Sequence, residues 1–184
     1  VLIVALFIVT TETACGARYL DEELTMEAMV EAISFGDIKE VEKLVDNGLD
    51  VNKTDDKGNT ALMYVSQTGQ LDMLKLLIEK GANIDAANNL GFTSIIIASQ
   101  YNKPWIVEEL IVNGADVNAY SENGETALFK AISWESTLMV YLLISNGADL
   151  TIKNIDGETV VDKAKREERE IFDFLIDLKS NQQL

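Results

Sequence analysis

The side chains best placed for chemistry in this chain are carboxylates. General acid–base work needs two carboxyl groups with their pKa values held apart, and Asp55, Asp56 and Glu125 are the residues that would serve. The companions of such chemistry are missing. Histidine is absent and Cys15 is the only cysteine, which excludes the usual zinc ligand sets, Ser/His and Cys/His nucleophile pairs, and an intramolecular disulfide. There is no glycine-rich phosphate loop. The nearest approach to a calcium loop, NIDG at 154, has Ile152 where the first ligand belongs and Lys163 where the closing Glu belongs. A carboxylate-based enzyme is the weakest reading, and neither cofactor nor metal is expected.

Charge narrows the partners. The formal net charge is −16, so a nucleic-acid backbone would be repelled. Acidity is steepest early, where ten acids from Asp21 to Asp50 face only Lys39 and Lys43. Such a run reads either as a solvated face or as a docking patch for a basic protein.

Residues 1–9, VLIVALFIV, are an unbroken apolar run. As a helix they rise only about 14 Å, short of the roughly 20 residues a bilayer crossing takes. With the small residues that follow, the run has the pattern of a secretory signal. Export is expected. The stretch TACG resembles the lipobox of bacterial lipoproteins, with Thr13 and Ala14 in keeping and Glu12 in place of the usual aliphatic residue. That resemblance implies lipidation at Cys15 and a place in the periplasm or cell envelope of a bacterium. Cleavage near Ala14 or Ala17 by an ordinary signal peptidase, or an uncleaved anchor or fragment, are the alternatives; the mass of the mature chain separates them. Membrane contact is expected only through such a lipid, and one acyl chain alone binds marginally.

Behind this leader, residues 1–19, the sequence repeats itself. DNGLDVN at 46 returns as EKGANID at 79, VNGADVN at 112 and SNGADLT at 145. Gly48, Gly81, Gly114 and Gly147 are therefore 33 residues apart, and Gly58, Gly91, Gly124 and Gly157 keep the same interval. Two series in phase define five units, 20–52, 53–85, 86–118, 119–151 and 152–184. Within a unit the apolar residues have helical spacing in two short runs, as in Ala61, Leu62, Val65 and then Leu71, Leu74, Leu77. Thr60, Thr93, Thr126 and Thr159 are expected to cap the first helix of their units. The phrase glycine is expected to end the second helix in the left-handed region.

A 33-residue period, a Gly-x-Thr start, two helices and a closing GADVN resemble the ankyrin repeat over residues 20–184. The family's Thr-Pro-Leu-His stretch reads TALM at 60, TSII at 93, TALF at 126 and TVVD at 159. With the His missing, Met63, Ile96 and Phe129 are expected to substitute apolar packing for its hydrogen bonding. The fold expected is all-α, an α-solenoid of five ankyrin-type helix-turn-helix repeats with hairpin loops. In unit one, Thr25 and Glu27 occupy the Gly and Thr places. In unit five, Lys163, Lys165, Arg166, Glu167, Glu168, Arg169 and Glu170 are expected to cover the outer flank with charge.

The resemblance implies a protein partner met by the hairpin tips and the concave face. Candidate tip contacts are Asp56, Lys57, Asn59, Leu90, Phe92, Glu122, Asn123 and Glu125. A column at the end of the first helices, Phe35, Thr68, Tyr101, Trp134 and Glu167, offers three aromatics that could either anchor a partner or cover the cleft between neighbouring helix pairs. Trp105, after Pro104, is expected to be structural. The leading function is a non-catalytic protein-interaction module, expected to be monomeric. A spacer or surface antigen with no dedicated partner is the alternative.

Overall fold

The computed structural model describes residues 24–167 and 169–181; the leader, Cys15 and residues 20–23 of the first unit lie outside them. Each unit supplies two helices. They are α1 Met26–Phe35 and α2 Ile38–Asp46, α3 Ala61–Thr68 and α4 Leu71–Glu79, α5 Ser94–Gln100 and α6 Pro104–Val112, α7 Ala127–Ile132 and α8 Thr137–Ser145, and α9 Val160–Glu167 and α10 Arg169–Asn181. The first helices pack in file, α1 on α3, α3 on α5, α5 on α7 and α7 on α9, and the second helices α2, α4, α6 and α8 do the same beside them. None of the described helices is long and apolar enough to cross a membrane.

The core is a set of columns running along the array. Leu44, Leu77, Leu110 and Leu143 occupy one place in successive units and all are buried, as are Met29, Leu62, Ile95 and Leu128 in another. Met63, Ile96 and Phe129 are buried too, so the residues standing in for the family's His do pack as apolar groups.

Capping differs from unit to unit. Thr60 accepts a bond from the Met63 N–H, and Thr159 exchanges bonds with Asp162, whose carboxylate also accepts from the Thr159 N–H. Thr93 and Thr126 make no such bond, and the buried Thr93 hydroxyl has no partner. In unit one the helix starts two places early, at Met26, with Thr25 as its cap. The helix start there follows Thr25, whose hydroxyl accepts the Ala28 N–H, rather than the repeat.

The recurring phrase joins one unit to the next. Its last residue reaches across the boundary: the Asn52 amide donates to the Gly81 carbonyl at 3.2 Å and its oxygen accepts the Asn83 N–H at 2.7 Å. Asn118 repeats both bonds to Gly147 and Asp149. Asp85, at the same place, accepts from the Asp116 N–H but as a carboxylate has nothing to donate. Asp85→Asn should therefore stabilise the array by about 0.5 kcal/mol, the low end for a hydrogen bond at an exposed site, seen as a higher denaturation midpoint. An unchanged or lower midpoint would count against this account of the phrase.

Hairpin tips are joined in the same register. The Asn89 N–H donates to the Lys57 carbonyl, the Glu122 N–H to that of Leu90, and the Ile155 N–H to that of Asn123, all near 3 Å. The end units depart from the pattern as solvent requires. Glu40 stands where Met73, Ile106 and Met139 are buried, and among the described residues no unit packs on that side of it. Lys163 corrects the expectation of an outward charge: it is buried, with its ammonium donating to the Phe129 carbonyl at 3.1 Å and the Ser133 hydroxyl at 2.8 Å. Helix α7 ends early, and Lys163 reaches back to satisfy a carbonyl near that end.

Candidate protein-binding surface

Along the column at the ends of the first helices, Phe35 is 80% exposed, Tyr101 42% and Trp134 52%. The three have different surroundings. Phe35 borders a groove of about 450 Å³ on unit one, uncovered among the described residues, which has Ala28, Ala32 and Leu44 in its lining and Glu31, Asp37 and Glu40 beside them. The place of Ala28, half-buried in unit one, is fully buried in units two to four. Trp134 donates its indole N–H to the Gln100 carbonyl at 2.6 Å. It therefore bridges units three and four while leaving half its surface to solvent. Tyr101 closes α5.

The tip residues divide by what they already bind. Asn59 gives its amide to Asp55 at 3.0 Å and accepts from Asn88 at 2.8 Å. Glu125 forms an ion pair with Lys130 at 2.6 Å, and that ammonium sits 5.2 Å from the centre of the Phe92 ring. Asn59, Phe92 and Glu125 are thus half-buried and engaged inside the array. Asp56, Lys57, Leu90, Glu122 and Asn123 use backbone atoms for the tip-to-tip bonds and keep their side chains in solvent.

The carboxylates considered for catalysis do not converge on a site. Asp55 accepts from the Lys57 and Asn59 N–H groups, the Asn59 amide and the Tyr64 hydroxyl, at 2.7 to 3.0 Å. Partial burial raises its pKa, but the bonds from Tyr64 and Asn59 outweigh this and hold it below the ordinary carboxylate value. The same bond pushes the Tyr64 hydroxyl upward. A carboxylate held ionised by four donors closes a turn and is a poor proton acceptor. Among the described residues no three metal-ligating side chains gather.

Three residues were missed as exposed apolar groups. Trp105, expected to be structural, is 67% exposed, and Leu138 and Tyr141 stand beside it on the outer helices. A signal existed in the sequence: positions 33 apart on the second helices change from charged to apolar midway along the chain.

The geometry is that of a helical-hairpin array whose units stack through a repeated turn. A family model for ankyrin repeats, in three copies, matches residues 28–121 and 95–184, and the chain belongs to that family. Its repeats are in general protein–protein interaction modules, typically without enzymatic activity. A search of curated proteins returned no match.

Proposed function

We propose that this chain is a non-catalytic protein-interaction module: an exported, acidic ankyrin array that holds a protein partner through its concave face and hairpin tips. The observation that carries this reading is the survival of exposed aromatic side chains at one place in adjacent units, Tyr101 and Trp134. Aromatic anchors that become desolvated dominate binding energy, and the two rings leave 42% and 52% of their residues' surface open to a partner. The strongly negative surface favours a basic partner by steering and selection.

Crosslinking in the native envelope, comparing the natural chain with Tyr101→Ala, tests it. The variant should keep its denaturation midpoint and lose capture of a specific partner. Unchanged capture would remove the column from the interface. Trp134 supports a second reading, in which the aromatics serve only the array and the protein is a spacer. Trp134→Ala is expected to cost about 1 kcal/mol through the lost bond to Gln100, and a loss of stability without loss of capture favours the spacer.

A further inference from the structure

The second helices of units one to four turn the same three places to solvent. In α2 these are Lys39, Glu42 and Asp46, and in α4 Asp72, Lys75 and Glu79, all exposed. Across the boundary of units one and two the charges are tied together: Lys80 lies 2.6 Å from Asp46 and 3.9 Å from Glu42. The corresponding residues are Trp105, Glu108 and Val112 in α6, and Leu138, Tyr141 and Ser145 in α8, again all exposed. One wall of the array passes from six charges to one.

Packing does not require this change. Helix α8 buries Met139, Val140 and Leu143 against the core, while Leu138 is 58% exposed and Tyr141 55%. A helix that is apolar on its wet face as well as its inner one is under-covered for a surface position. Trp105 and Leu138 hold equivalent places on helices packed side by side, roughly 10 Å apart at ordinary helix spacing. With Tyr141 they expose on the order of 400 Å², the size of the largest apolar patch on an ordinary monomer, which is often functional. Two carboxylates flank the patch. Glu108 is one turn along α6 from Trp105, and Glu135 sits in the turn before α8 with φ +52, where units one and two have Gly36 and Gly69.

We infer that this wall, Trp105, Leu138 and Tyr141 with Glu108 and Glu135 at its edges, docks a protein segment that presents apolar side chains together with Lys or Arg. Aromatic faces attract a guanidinium or ammonium, and a neighbouring carboxylate fixes it by a charge-assisted hydrogen bond. Acidic segments and anionic lipid are repelled by the same groups. A second copy would bring a further charge of −16 with like carboxylates. The inference rests on the reading of the chain as a protein-binding module and assigns it a second face, on the outer helices.

Of the chain's two tryptophans, Trp105 lies in this wall and Trp134 in the column at the ends of the first helices, so emission in a Trp134→Phe background reports on the wall alone. The probe is a set of synthetic peptides made from the winners of a random displayed library selected on the full chain. Winners should combine Leu, Phe or Trp with Lys or Arg, shift tryptophan emission to the blue and protect it from acrylamide. Trp105→Ala/Leu138→Ala should weaken them at least tenfold at an unchanged denaturation midpoint, Glu108→Lys should weaken them similarly, and Lys39→Ala should leave them as they were. Winners without basic residues would overturn the inference, as would concentration-dependent dimerisation or vesicle binding abolished by Trp105→Ala. Peptides that keep their affinity for the double variant and lose it on Leu90→Ala would sink the outer wall and leave the tips as the binding face. No winner of any kind would sink both readings.

Discussion

Gly124→Ala should cost the array about 3–4 kcal/mol, against about 1–2 kcal/mol for the same change at Gly157. Both glycines turn a hairpin at positive φ, +72 and +76, where an L side chain costs roughly 1–2 kcal/mol. They differ in what lies beyond. A Cβ on Gly124 would sit 2.8 Å from the Asn154 Cα and 2.9 Å from the Lys153 carbonyl oxygen, whereas one on Gly157 meets nothing within 4 Å. The obstacles at Gly124 are backbone, so no side chain can swing aside. The hairpins of units four and five must separate, with loss of the bond from the Ile155 N–H to the Asn123 carbonyl. Denaturant melts of the two variants give the comparison. Equal costs would mean that the tips do not hold the units together.

Asp55→Ala should cost about 2–3 kcal/mol, because it strands two backbone N–H groups, the Asn59 amide and the Tyr64 hydroxyl in a half-buried turn. Asp55→Asn should cost well under half as much, since Asn88 and Asn154 make the same turn bonds from the equivalent places. The two forms also differ in acid. Asp55 has a folded-state pKa below its unfolded one, so its contribution is complete above about pH 5 and is lost as pH falls through the folded value. Stability measured from neutral pH into acid should therefore fall less steeply for Asp55→Asn than for the natural chain. Parallel acid limbs would show that other carboxylates dominate.

Local chemistry made most of the fold legible. The glycines at 33-residue intervals and the Leu44, Leu77, Leu110 and Leu143 column act within a unit or between identical places in neighbours, so their spacing alone announces them, while of the threonines before the first helices Thr60 and Thr159 make the cap bond and Thr93 and Thr126 do not. The Asx residues of the hairpins act locally in one respect, since the side-chain oxygens of Asn88 and Asn154 accept from N–H groups two and four residues on, but the Asn88 amide also reaches Asn59 in the preceding unit. Thr25 stands at the glycine place of the repeat, as the spacing gives, and its role as the cap of α1 was not legible: capping depends on what precedes an apolar run, and a repeat count does not carry that.

Exposure was another matter. Lys163 looked like a solvated end charge until α7 stopped short and left the Phe129 carbonyl within its reach. Phe92 read equally as a contact and as packing against the next tip, and Glu125 as a tip contact; both are engaged by Lys130. Trp105 looked like packing and faces water. The sequence by itself determined the unit, its period and the turns that stack it, because those are set by backbone geometry repeated identically along the chain. Only the tertiary structure decided which side chains remain for a partner, because that depends on neighbours supplied by other units about 30 residues away, where a short carbonyl-capping reach or a missing cover residue changes the face a side chain presents.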